Sequence, residues 1–218
     1  ATPKIKVADP VHNRETICRI IEEYEKKGAE LLVFPELCLS GYTCNDLFQQ
    51  EILLEQVKEE LKTKTDTAKH CQIAEFAAMM AFGGHIHTDT NKKYTIVFVT
   101  ENETVAAVFT ELAAKIFGIT ENEIIKDGLQ LIIRDEKYVK HILMTLKWLT
   151  DDNLNDAKRV FADPLIVQKD CCKRAFIKGA FLTAGSISDP NKFYHFEVVC
   201  DSNDDALQLQ SMMTFFNL

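Results

Sequence analysis

No stretch of this 218-residue chain stays apolar for the roughly 18–20 residues that a membrane-spanning helix needs, so no membrane is expected among its partners. The opening decapeptide ATPKIKVADP is polar and lacks the basic-then-apolar pattern of a secretory leader. No C-x-x-C pair occurs, and the seven cysteines (Cys18, Cys38, Cys44, Cys71, Cys171, Cys172 and Cys200) are odd in number. A disulfide scaffold is disfavoured and a reducing compartment is favoured. Together these absences point to the cytoplasm. Positive charge is also in deficit: 25 Lys and Arg stand against 33 Asp and Glu, for a net charge of −8. Phosphate repels such a chain, which argues against generic nucleic-acid binding and leaves DNA to a local basic patch. What is present is apolar mass, 46% of residues, enough for a packed core.

Residues 4–8 and 31–35 have the composition of short strands. Between them, VHNRETICRIIEEYEKKGAE places Ile17, Ile20, Ile21 and Tyr24 at helical spacing and ends at Gly28. Residues 1–56 thus form a β-α-β fragment, which implies parallel strands. A unit that small cannot cover both faces of its own sheet.

From residue 57 an internal repeat dominates. The stretch 76–119 lies over 177–218, with Gly84 opposite Gly185 and Tyr94 opposite Tyr194. Each copy runs as an apolar helix ending at Gly, a strand, a turn, a second strand and a second helix. The expected class is α+β, built from two pseudo-symmetric α-β-β-α units. The first, 57–149, continues through a hairpin across Asp127-Gly128. It ends in an amphipathic helix with Val139, Ile142, Leu143 and Leu146 on one face. Residues 150–169 form a linker with a helical middle and a break at Pro164. The second copy, 170–218, is incomplete, lacking the corresponding hairpin and helix.

Three clusters invite chemistry. GGHIH sets His85 and His87 on one strand face, but a closed metal site needs more ligands. His70 and Cys71 belong to the start of the preceding helix, about 20 Å away along its axis, so no metal site is expected. Cys171 and Cys172 open the second repeat's helix, where a helix N-terminus lowers thiol pKa. Packing is the simpler role, since free cysteine is usually buried. Lys169, Lys173, Arg174 and Lys178 follow at i, i+4 and i+5 spacing, a candidate phosphate-facing stripe on an otherwise acidic chain.

Two stretches carry family likeness. TPKIKVADPVHNRETICRIIEEYEKKGAELLVFPELCLSGYTCNDLF resembles the nitrilase-type glutaminase domain of glutamine-dependent NAD synthetases. That resemblance implies a Glu-Lys-Cys triad hydrolysing the glutamine amide, with Glu36 at the general-base position. No Lys or Cys stands in family context. Cys200, in FEVVCDSN, and Lys92 or Lys93 are the nearest stand-ins. They belong to repeat positions that match Thr100 and the Asn191-Lys192 turn. VKEELKTKTDTAKHCQIAEFAAMM and KDCCKRAFIKGAFLTAGSISDPNKFYHFEVV resemble the N-terminal LAGLIDADG-type domain of the WhiA family of DNA-binding sporulation regulators.

In active LAGLIDADG endonucleases each of two packed helices ends in an acid, and the pair holds divalent metal over the scissile phosphates. The resemblance places those acid positions at Gly83 and Ala184. Neither can ligate a cation. The family's helix-turn-helix is absent from this sequence. The expectation is therefore a catalytically inactive LAGLIDADG-type domain supporting transcription control in sporulation or cell division. It would need no cofactor and bind DNA weakly at most. The alternatives are an incomplete glutaminase acting on glutamine, and a chimeric fusion without activity.

Overall fold

The computed structural model describes residues 3–4, 10–29, 32–34, 44–64, 66–90, 93–149, 157–187 and 196–216. They divide into two compact units. One comprises the described residues up to 54, and the other those from 55 to 187 and from 196 to 216.

The first unit contains α1 (Pro10–Glu25) and the opening turns of α2 (Cys44–Thr63). α1 begins on a proline, whose missing N–H costs nothing at a helix start. Gly28 follows it with φ +80°, the left-handed value that stops a helix. The helix expected between the two strands is therefore present. The strands are not: residues 3–4 and 32–34 belong to no strand among the described residues. The remainder of 4–8 and 31–35, and Glu36, lie outside the described residues.

The second unit repeats one order of elements. α3 (Lys69–Gly83), β1 (Gly84–Thr88), β2 (Tyr94–Val99) and α4 (Glu103–Phe117) are followed by β3 (Ile125–Asp127), β4 (Gln130–Ile133) and α5 (Glu136–Thr145). Then come α6 (Asp170–Ala184), β5 (Gly185–Ile187), β6 (Phe196–Val198) and α7 (Asn203–Thr214). Local chemistry sets the boundaries. The side chains of Asn102, Asp135 and Ser202 accept backbone N–H groups at the starts of α4, α5 and α7. Gly118, at φ +73°, closes α4. Gly128, at φ +57°, supplies the turn between β3 and β4.

Strands β1, β2, β4 and β3 form an antiparallel sheet in that spatial order. Ile96 lies opposite Ile133, and Phe98 opposite Gly84 and Leu131. The face bearing Ile96, Phe98 and Ile133 is fully buried. Phe98 stacks on Phe109 of α4 with centroids 4.2 Å apart, and Phe109 stacks on Phe76 of α3 at 5.0 Å. In the second copy β5 pairs with β6, and Phe181 of α6 stacks on Phe196 at 5.0 Å.

α3 is buried on nearly every side from Cys71 to Gly83, the mark of a central helix. Its main partner is α6. Three pairings show that the two run parallel. His70 meets Cys171 at their starts, Glu75 meets Gly179 midway, and Gly83 meets Thr183 at their ends.

The segment before α6 is described only in its later part. Residues 157–169 form turns and no helix; the rest of the expected linker lies outside the described residues. Asp163 and Pro164 open a turn in which Asp163 Oδ1 accepts from Leu165 N at 2.9 Å and its carbonyl accepts from Ile166 N at 2.9 Å. The segment is also part of the core. Phe161 and Ile166 are buried, and Trp148 Nε1 donates to Val160 O at 2.7 Å.

Candidate functional site: the paired-helix seam

The seam between α3 and α6 is built on small residues. A Cβ on Gly179 would collide with the Glu75 carbonyl oxygen and stand 2.9 Å from Ala78 Cβ. Close helix approach at this level therefore requires glycine. At the C-terminal end, Gly84 and Gly185 occupy matching positions. A Cβ there would lie 2.5 Å from Met80 O and 2.5 Å from Phe181 O respectively. The chain turns from helix to strand at the same point in both copies.

The two positions where the resemblance puts metal-binding acids are a buried Gly83 and a half-buried Ala184. Gly83 lacks room as well as charge. A Cβ would lie 2.7 Å from the Phe98 ring and 3.0 Å from Thr183 Cγ2. Nearby, the Arg159 guanidinium donates to Ala81 O at 2.7 Å and to Asp205 Oδ2 at 3.1 Å. A cation from the inter-repeat segment thus ties the last turn of α3 to the first turn of α7.

Glu75 is fully buried in the middle of the seam, and Lys178 Nζ lies 2.9 Å from its Oε1. The ammonium also donates to Lys64 O at 3.3 Å. Neither carboxylate oxygen of Glu75 receives a well-aligned hydrogen bond. Burial pushes its carboxyl above the ordinary glutamate value, and Lys178 offsets part of that rise.

This pairing separates Lys178 from the other three residues of the expected stripe. Lys169 and Arg174 are exposed. Lys173 Nζ sits 3.7 Å above the centre of the Phe215 ring and 3.4 Å from Asp170 Oδ1. Arg174 lies 5.2 Å from the centre of Phe216. The stripe is therefore a short rim at the start of α6, cushioned on the aromatic end of α7.

The remaining nucleophile and metal candidates separate in the same way. Cys200 has its thiol pushed up, by burial first and then by Asp205 and Asp201. That is the reverse of what an attacking thiolate needs. Lys93 closes a turn through its backbone N–H, which donates to Asp89 Oδ1 at 2.8 Å; Lys92 lies outside the described residues. His85 and His87 are exposed on β1, opposite Val97 and Thr95, and gather no third ligand among the described residues.

A different group does converge. His70, Cys71, Cys171 and Cys172 bring one imidazole nitrogen and three sulfurs within 4.8 Å of one another. Cys171 Sγ is 3.4 Å from His70 Nε2, and Cys172 Sγ is 3.8 Å from His70 O. Linear spacing could not show this, because the pairs lie on different helices. The duplication could have: superposing Gly84 on Gly185 also superposes His70-Cys71 on Cys171-Cys172.

Comparison with known proteins gives the same picture from outside. The WhiA N-terminal LAGLIDADG-like domain family matches residues 69–145, and the WhiA LAGLIDADG-like domain family matches residues 173–218. The "Probable cell division protein WhiA" of Lachnospira eligens is 50% identical over 169 residues, covering 75% of this chain and 53% of that protein. Its namesake in Lachnoclostridium phytofermentans is 36% identical, covering 74% and 54%. This chain thus spans about half the length of these relatives. The crystal structure of the N-terminal LAGLIDADG domain of DUF199/WhiA superposes with a TM-score of 0.54 at 17% identity, covering 76% of this chain and 75% of that one. These matches give no support to the nitrilase-type likeness of the first 56 residues. The chain belongs to the WhiA family, through the LAGLIDADG-like regions at residues 69–145 and 173–218.

Proposed function

We propose that this chain is the nuclease-inactive LAGLIDADG-like module of a cytoplasmic, DNA-associated regulator of cell division and sporulation. The observation that carries the reading is the state of the seam. Its close helix packing is kept at Gly179, while Gly83 and Ala184 stand where hydrolysis would need two carboxylates. A scaffold that keeps its helix pairing without the metal-binding ends is suited to docking and not to cleavage.

DNA binding is assigned to Lys169, Lys173 and Arg174 at the α6 N-terminus. There the helix dipole adds to the charges of Lys169 and Arg174 and to that of Lys173, which exposed Asp170 offsets in part from 3.4 Å. Lys178 contributes through the seam, since its ammonium is engaged by Glu75. Binding is expected to be weak and sequence-independent, with Kd on the order of 10⁻⁴–10⁻⁶ M at physiological salt.

Fluorescence anisotropy with duplex DNA across a salt series tests this. Removing one phosphate-neutralising cation should reduce the salt slope by about 0.9. Replacing Lys169, Lys173 and Arg174 together by Ala should therefore flatten it. A slope indifferent to the triple substitution, or magnesium-dependent cutting of the duplex, would overturn the reading.

A further inference from the structure

We propose that His70, Cys71, Cys171 and Cys172 form a structural zinc site that clasps the N-terminal ends of the two seam helices. The donors come in two adjacent pairs, one from the first turn of α3 and one from the first turn of α6. The internal duplication relates them, so a quasi-symmetric clasp arises at the pseudo-twofold axis of the repeat.

The chemistry of the set fits a soft, four-coordinate divalent ion. Three sulfurs and one imidazole are a Cys₃His complement, closed and without an open position, which is the pattern of structural zinc. Zinc bonds of about 2.3 Å to sulfur and about 2.0–2.1 Å to nitrogen place tetrahedral donors about 3.4–3.8 Å apart. His70 Nε2 and Cys171 Sγ are already 3.4 Å apart, and the whole set spans no more than 4.8 Å. Side-chain torsions alone can close that gap.

The surroundings favour the bound form. Two helix N-termini converge on the site, and their dipoles favour the net negative charge of three thiolates around one dication. His70 is exposed and Cys171 half-exposed, which leaves a path for the ion to enter, while Cys71 and Cys172 are buried beneath them.

A disulfide between Cys71 and either cysteine of α6 is the rival use of the same sulfurs. It would leave His70 without a role, although its ring nitrogen faces Cys171.

Cobalt substitution distinguishes the two. The full chain, reduced and stripped with chelator, is titrated with Co²⁺ under anaerobic conditions. The expected result is saturation at one ion per chain, with sulfur-to-cobalt charge-transfer absorption and the intense visible bands of tetrahedral cobalt. Added Zn²⁺ should displace them. Cys171→Ser should lose part of the charge-transfer intensity, and His70→Ala should weaken cobalt binding at least tenfold. Both positions reach solvent, so circular dichroism should show both variants folded. Weak, octahedral-type absorption from the reduced chain would overturn the site. So would a Cys71 disulfide found by peptide mass in a chain that takes up no metal after reduction.

Discussion

Lys178 Nζ lies 2.9 Å from Glu75 Oε1, with the glutamate fully buried and the lysine side chain 13% exposed. The ion pair joins the two halves of the duplication at mid-seam, directly beside Gly179. Its energy is asymmetric. Two desolvated charges gain little net stability by meeting, but removing one leaves the other stranded. Lys178→Met should therefore destabilise the chain by about 3–5 kcal/mol. Adding Glu75→Leu should recover most of that loss. Urea denaturation of the single and double variants checks it, and strictly additive losses would show that the pair is not coupled.

The same carboxylate gives a pH dependence of known sign. Burial holds the Glu75 carboxyl above the ordinary glutamate value in the folded chain. A group that binds its proton more tightly when folded stabilises the fold at low pH. That contribution is lost as pH rises through the folded-state value. The stability of Glu75→Gln relative to the parent chain should therefore increase as pH climbs from the usual glutamate range toward neutrality. Urea midpoints measured in steps of pH test this, and a difference that is flat or falls with pH would refute it.

How much of this could be read from the sequence depends on the distance over which information acts. α3, β1, β2 and α4 are legible because apolar spacing changes from helical to alternating at Gly84, and the β3–β4 hairpin is legible because Asp127-Gly128 announces its turn. Both are local signals. The basic stripe shows the opposite case. Spacing gathers Lys169, Lys173, Arg174 and Lys178 along one helix, but it carries no word of Glu75, Phe215 or Phe216, which determine what the charges of Lys173, Arg174 and Lys178 do. The His70–Cys172 cluster is invisible to spacing along one helix and legible only through the repeat, which lays His70-Cys71 over Cys171-Cys172. Residues 157–169 are likewise placed by tertiary packing, since Phe161 and Ile166 enter the core and Arg159 is held by two elements.

Arg159 is the next test of that packing. Its fork satisfies Ala81 O and Asp205 Oδ2 together, and a lysine ammonium cannot reproduce two directed bonds from one plane. Arg159→Lys should cost about 2 kcal/mol, the range for hydrogen bonds to charged groups, and Arg159→Ala at least as much. If Arg159→Lys unfolds at the parent midpoint, only charge matters there.

Gly179→Ala places two effects in opposition. Alanine is favoured over glycine inside a helix by about 1 kcal/mol. Against that, the new Cβ meets the Glu75 carbonyl oxygen, an atom of the backbone that cannot rotate away. Overpacking of this kind costs about 1–3 kcal/mol, so the net effect should be destabilising. Thermal unfolding decides it, and a raised midpoint would mean that the helices separate without penalty.

Gly83→Asp, combined with Ala184→Asp, would put an acid at both positions where the resemblance to LAGLIDADG endonucleases places one. Nuclease activity should not appear. The Gly83 site has no space for even the first carbon, since Phe98 stands 2.7 Å from where it would be and belongs to the stacked aromatic core. The aspartate could be accommodated only by displacing that ring or by opening the ends of α3 and α6. The carboxylate would then lack the fixed position that metal-assisted hydrolysis requires. The double variant should show a lowered melting midpoint and no magnesium-dependent nicking of supercoiled DNA. Ala184→Asp alone, at a half-buried position, should be the milder of the two changes. Nicking by the double variant at an undiminished melting midpoint would show instead that charge alone separates this seam from an active one.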